Sequence, residues 1–282
     1  MSQDAFDTMA RARKLFRHRE SGAVFPVPPI TESPAGMAAA YAVQDALDAI
    51  FRGERGYRAI GYKIAGTNPA SRAHLRIDAP FFGRLYDGMA SRSPGVLPFA
   101  PDFLRVHEPE IAIEIGRDLM PSEAPFDAAA IEAATRAVLP AIEIIGTYFD
   151  PWAKAGAPNL ASDNAAFGHW IMGVPVTNWS GLDLLDGRVT ISINGEVRGT
   201  GKGRNVDDGA FGATAWLANA LAARGVGLKA GDYVTTGSVT PPIPVQPGQR
   251  VRADFAGLGC VEVHITPDRR ASNAGRQEGS AA

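Results

Sequence analysis

The chain has 282 residues, with 28 basic and 30 acidic side chains, a formal net charge of −2 and a single cysteine. Hydrophobic residues make up 45% and charged residues 21%, an ordinary globular composition, and a chain of this length buries roughly three quarters of its unfolded surface without covalent staples. One cysteine excludes an intrachain disulfide and a thiolate metal cluster, and the lack of any long run of one charge sign argues against nucleic acid or an anionic membrane as the main partner.

The opening sixteen residues have no apolar core of signal-peptide type. Within them, Asp4 to Arg19 reads as an amphipathic helix, since Phe6, Met9, Ala10 and Leu15 or Phe16 recur at helical spacing. Pro26, Pro28 and Pro29 interrupt the chain. Ser33 suits an N-cap and Pro34 a first helical position. Met37, Tyr41, Ala42, Ala46, Leu47 and Ile50 then mark a second helix that should stop near Gly53. Strand character begins at Gly61 to Ile64, and a turn-rich zone follows from Gly66 to Pro101. Val106 to Ile115 alternates as a strand does. Asp127 to Val138 reads as a helix capped by Asp127, and Ala141 to Ile145 as a short apolar strand. Asn194-Gly195 between Val189–Ile193 and Glu196–Val197 is a hairpin signal. Phe211 to Ala223 reads as a helix stopped by Gly225. Tyr233–Thr236, Arg250–Phe255 and Cys260–Ile265 read as strands, with Cys260 a buried structural thiol. No apolar run approaches the ~20 residues of a membrane helix, so a cytoplasmic location is expected. Strands and helices do not alternate regularly, which points to an α+β fold rather than a doubly wound sheet.

Several groups of residues could carry chemistry. On a strand, Glu108 and Glu110 share a face with Ala112 and Glu114, while Ile111, Ile113 and Ile115 fill the other. His107 falls on the isoleucine side. Adjacent carboxylates repel unless a cation lies between them, and hard dications favour oxygen donors; a solvated strand face is the plain alternative. Glu143, flanked by isoleucines, needs a cation, an arginine or a proton if it is buried. Lys63 stands in an apolar strand ending in a glycine loop, where a lysine either snorkels or handles charge and protons. Asn164 beside Asp163, and Ser238 with Thr240, lie in loops that could grip a small acid or simply make turns.

The order of these segments resembles one family. Gly61-Tyr62-Lys63-Ile64, the run Ile77 to Gly83 and Asp87-Gly88-Met89 resemble the "GYKIG… D-x-P-x-x-G… D-D-M" pattern of 2-oxopent-4-enoate hydratases and 4-oxalocrotonate decarboxylases, in the fumarylacetoacetate hydrolase superfamily. Glu108-Pro109-Glu110-Ile111-Ala112 with Gly116 to Leu119 is similar to its "E-x-E-I-A-F… GRDL", Leu139 to Ile144 to its "PALEI", and Ala161 to Ala166 to its "ADNAS". Residues 35 to 266 carry the match. Ala65, Glu114, Arg84 and the prolines after Thr240 depart from the pattern.

The resemblance implies a strand-rich fumarylacetoacetate-hydrolase-type roll with outer helices. With the two N-terminal helices read as a cap region (1–60) and the small, polar residues of 269–282 as a disordered tail, the metal-binding catalytic domain is expected over 61–268. The resemblance also implies Mg²⁺ or Mn²⁺ on Glu108, Glu110 and Glu143, and catalytic roles for Lys63 and Asp78. Ser238, Thr240 and Asn164 are expected to contact the acid. The implied activity is that of a lyase, hydratase or decarboxylase, on a small 2-oxo or 2-hydroxydienoic acid from aromatic meta-cleavage, carried out by a homo-oligomer. An acylpyruvate-type carbon–carbon hydrolase and a non-catalytic partner subunit are the alternatives.

Overall fold

The computed structural model describes residues 7–100 and 103–267. Helix α1 (Thr8–Ser21) starts at Asp7, whose carboxylate accepts from Ala10 N at 2.9 Å, and stops at Gly22 in the left-handed region. The expected start at Asp4, and with it Phe6, lies outside the described residues. Helix α2 (Met37–Ile50) begins later than its sequence suggests. Gly36 precedes it, and Ser33 instead donates to Pro29 O and accepts from Asn159 Nδ2. The chain also stays helical past Gly53, through a wide π-type turn over Phe51–Arg55 that ends at Gly56. Phe51 is buried against the rings of Phe16 and Tyr86, and that packing outweighs the glycine.

A seven-stranded sheet holds, in spatial order, β3 (Phe81–Tyr86), β2 (Ala59–Ala65), β12 (Tyr233–Ser238), β6 (Leu104–Ile115), β7 (Thr135–Gly146), β9 (Phe167–Met172) and β4 (Ala90–Arg92). A five-stranded sheet holds β11 (Glu196–Lys202), β10 (Arg188–Ile193), β13 (Arg250–Phe255), β14 (Gly259–Ile265) and β5 (Gly95–Leu97). Short β1 (Phe25–Pro26) pairs in parallel with β8 (Phe149–Asp150). The fold is α+β, as the irregular order of elements implies. Asn194 and Gly195, both with positive φ, close the β10–β11 hairpin.

The main core forms where isoleucines 111, 113 and 115 of β6 and isoleucines 142 and 144 of β7 meet Val189, Ile191, Val251 and Val263 of the smaller sheet. Helix α6 (Gly209–Ala222) adds Leu217 and Leu221 to it. A second apolar cluster joins α1 and α2 to the larger sheet through Leu15, Phe16, Leu47, Phe51, Phe81 and Ile145.

The structure corrects several expected elements. The zone 66–101 contains helix α3 (Pro69–Leu75) and three strands, because Phe81–Tyr86 finds a partner in β2 that its short apolar run does not announce. The helix after Asp127 ends at Ala134 (α4, Ala128–Ala134), although its Asp127 cap is present at 2.8 Å from Ala130 N. From Thr135 the chain is one long strand. Helix α5 (Ala157–Ser162) and β9 are further elements without a strong periodic signal. Cys260 is half-buried rather than buried, since alternation on β14 gives the core to Val261, Val263 and Ile265. The expected disordered tail lies outside the described residues. Among the described residues no helix is long and apolar enough to cross a membrane.

Candidate metal centre

Strands β6 and β7 pair antiparallel with Glu108 opposite Glu143 and Glu110 opposite Ala141. Directly opposed residues project from one face, and residues two apart on a strand share that face. The three carboxylates therefore converge, each offering an oxygen within 4.8 Å of the others. Glu110 and Glu143 are fully buried, whereas Glu108 keeps some exposure at the edge of the cluster.

Each carboxylate has a distinct environment. Glu110 Oε2 accepts from Thr235 Oγ1 at 2.5 Å and from the Gly237 amide at 3.0 Å, which leaves Oε1 without a donor among the described residues. Glu143 Oε1 lies 2.8 Å from Lys63 Nζ, and its Oε2 has no donor among the described residues. Burial pushes the Glu108 carboxyl up to about 7, helped by Glu143 and opposed by Lys63. Burial also raises Glu110, with Glu143 and Glu108 adding to it, and raises Glu143 against the pull of Lys63.

Lys63 projects from β2 with 1% exposure and donates to the Ala165 carbonyl at 2.9 Å. Three carboxylates against this single ammonium leave two formal negative charges in excess, the charge of one divalent cation. Two buried acceptors with nothing to accept, and a donor set made only of oxygen, fit a hard dication such as Mg²⁺ or Mn²⁺. Magnesium's preference for few protein ligands plus water is compatible with a cluster that stays open at Glu108.

Gly237 is required where it stands. Its φ is +116°, and an added Cβ would lie 1.7 Å from Thr67 Oγ1. Gly237→Ala is expected to destabilise the protein by about 2–4 kcal/mol and to detach the amide from Glu110. Urea unfolding curves for the two proteins measure this.

The other expected site residues stand at different distances from the carboxylates. Asp78 is exposed in the turn after α3, outside the three-carboxylate group. Ser238 Oγ donates to Thr240 O at 2.7 Å, and Thr240 Oγ1 to Pro241 O at 3.1 Å. Ser238 stands opposite Glu110 in the β12–β6 register. Asn164 is buried and spends its amide on strand β3: Oδ1 accepts from Arg84 N at 2.7 Å, and Nδ2 donates to Arg84 O at 2.9 Å. His107 packs on the isoleucine side, bridged to Ile243, and burial lowers its pKa to about 4. Glu114, on the carboxylate face, pairs with Arg136 at 3.3 Å. Sequence reasoning missed Thr235, Gly237 and the Ala165 carbonyl. Motif membership alone does not reveal their roles, because the contacts they make exist only across strands. Two open surface cavities, one beside Trp216 and the other beside Arg252, are lined by none of the three glutamates.

The model of the fumarylacetoacetate hydrolase C-terminal family matches residues 95–266. The 2-keto-4-pentenoate hydratase of Burkholderia vietnamiensis strain G4 is 32% identical over 227 residues, covering 80% of this chain and 85% of that protein. The 4-oxalocrotonate decarboxylase of Pseudomonas sp. strain CF600 is 30% identical over 216 residues, covering 75% and 79%. The solved 4-oxalocrotonate decarboxylase from Pseudomonas putida G7, complexed with magnesium and adipate, superposes with a TM-score of 0.84 at 26% identity, over 92% of this chain and 97% of that one.

Proposed function

The chain belongs to the fumarylacetoacetate hydrolase family, and on that premise we propose that it is a divalent-metal-dependent lyase, hydratase or decarboxylase, acting on a small 2-oxo or 2-hydroxydienoic acid of aromatic meta-cleavage. The observation that carries this reading is the convergence of Glu108, Glu110 and Glu143 beside the buried ammonium of Lys63. Relatives named for hydration and for decarboxylation match about equally well in sequence, and both reactions call for the same electron sink.

Glu108, Glu110 and Glu143 are the residues that would hold Mg²⁺ or Mn²⁺. When bound there, the cation supplies Lewis-acid polarisation of the keto group and offsets the negative charge that grows on its oxygen, an effect worth several kcal/mol. The protein's own groups do the rest. Thr235 and the Gly237 amide fix one oxygen of Glu110 and leave the other without a donor among the described residues, free to serve a cation. Lys63, held by Glu143 and by Ala165 O, puts a positive charge and a transferable proton where the enolate develops. Hydration then adds water to the distal double bond, and decarboxylation reaches the same enolate by loss of CO₂. Asp78 is assigned to the substrate pocket by family resemblance, and Ser238, Thr240 and Asn164 are assigned to the acid from the hydroxyl and amide groups of their loops. The full burial of Glu110 and Glu143 suits a reaction that limits the access of bulk water to the enolate.

A panel of 2-hydroxydienoates, 4-oxalocrotonate and acylpyruvates, each with Mg²⁺ or Mn²⁺ and followed by absorbance, tests the reading. Turnover of a dienoate or of oxalocrotonate is expected, abolished by a chelator and restored by either metal. Cleavage of acylpyruvates alone would transfer the chain to the hydrolases, and chelator-resistant turnover would remove the cation from the mechanism.

A further inference from the structure

Helix α1 sends one cation towards the site. The Arg19 side chain is 7% exposed and makes three hydrogen bonds. Nε donates to Asp163 Oδ1 at 2.8 Å, Nη2 to Asp163 O at 3.0 Å, and Nη1 to Phe167 O at 3.1 Å. One guanidinium thus grips the residues on both sides of Asn164-Ala165-Ala166.

Those three residues have φ values of 53°, 55° and 55°. Left-handed backbone costs a residue with a Cβ roughly 1–2 kcal/mol, and such strain persists only where the surroundings hold it. Here the surroundings are identifiable. Arg19 clamps both ends, Thr147 Oγ1 donates to Asp163 Oδ2 at 2.6 Å, and the Asn164 amide is bonded twice to the Arg84 backbone. The middle carbonyl, Ala165 O, is the acceptor that Lys63 Nζ meets at 2.9 Å, its other partner being Glu143 at 2.8 Å. The contacts therefore run in one line, from Arg19 to the turn, to Ala165 O, to the ammonium. Stability is a poor reason for this arrangement, because a buried ion pair is often neutral or unfavourable against an apolar pair of similar size. What a planar guanidinium provides, and an apolar side chain does not, is fixed geometry at two carbonyls and a carboxylate.

We propose that Arg19 is a positioning residue for Lys63, so that the N-terminal helix is a working part of the site. This rests on the role given above to Lys63. Misplacing a catalytic group by about 1 Å costs on the order of a hundredfold in rate. Arg19→Met is therefore expected to lower kcat by about 30- to 100-fold, with KM and Mg²⁺ affinity by calorimetry within about threefold, since the three glutamates are untouched. Added guanidinium ion is expected to restore part of kcat. In a crystal structure of the Mg²⁺-loaded variant, the hydrogen bond from Lys63 to Ala165 O is expected to be lost. Arg19→Lys, a smaller change, carries the same test should the methionine variant not fold. Arg17→Met, at an exposed position of the same helix, serves as the control with unchanged kcat. A folded variant with wild-type kcat, or one whose Lys63–Ala165 bond is intact, overturns the proposal. A wild-type chain that turns over no acid in the panel defeats the functional reading instead, and the crystal structure then decides the Arg19 clamp alone.

Discussion

Glu110→Gln is expected to bind Mg²⁺ at least about a hundredfold more weakly and to lose about a thousandfold or more in turnover. The geometry says why an isosteric change has so large an effect. The carbonyl oxygen of the new amide would accept the Thr235 and Gly237 bonds now made by Oε2. Its NH₂ group would then replace Oε1, the buried oxygen that has no donor among the described residues. A cation would meet a donor where it had met an acceptor.

The same change should raise the stability of the metal-free protein, because a fully buried carboxylate among two others leaves the cluster. Thermal melts with and without Mg²⁺ measure both effects. The wild-type melt should rise with added metal; the variant should start higher and stay there. A wild-type-like response to Mg²⁺ in Glu110→Gln would end the assignment of this ligand.

The pH dependence follows with a definite sign. Glu108 titrates near 4.5 as an ordinary glutamate and near 7 in the metal-free fold. Between those values the folded protein holds more protons than the unfolded chain. Metal-free stability therefore falls as pH rises from about 4.5 to about 7. A dication replaces those protons, so the stabilisation given by Mg²⁺ should grow over the same interval.

Lys63→Met is expected to lower kcat by about 10³- to 10⁴-fold while Mg²⁺ still binds. Methionine fills the volume of a side chain that is 1% exposed, which keeps packing losses small. What disappears is the ammonium that offsets one of three carboxylates and bridges Glu143 to Ala165 O. Without it the metal-free cluster carries a larger charge imbalance, so the variant should be less stable than wild type in chelator and recover much of the difference in Mg²⁺. Steady-state kinetics and paired melts separate the two effects. Full turnover in this variant would remove Lys63 from the chemistry, and failure to bind Mg²⁺ would make it a structural support of the ligands.

The sequence by itself determined the hairpin at Asn194-Gly195, the cap at Asp127, and the separation of isoleucines from glutamates on β6. Each depends on residues within a few positions of one another, where backbone geometry sets which side chains share a face. The candidate ligands were also legible, through motif order rather than periodicity. Only the tertiary structure decided that Glu143 stands opposite Glu108, because strand register is chosen by the packing of whole sheets. It likewise decided that the alanine-rich run after Asp127 leaves the helix at Ala134. Beyond that residue, pairing of β7 with both β6 and β9 outweighs the helical preference of alanine. The left-handed turn at 164–166, and the arginine from α1 that grips it, are invisible to any local pattern. The strain there is held by groups up to 148 residues away in the chain, which meet only when the fold is complete.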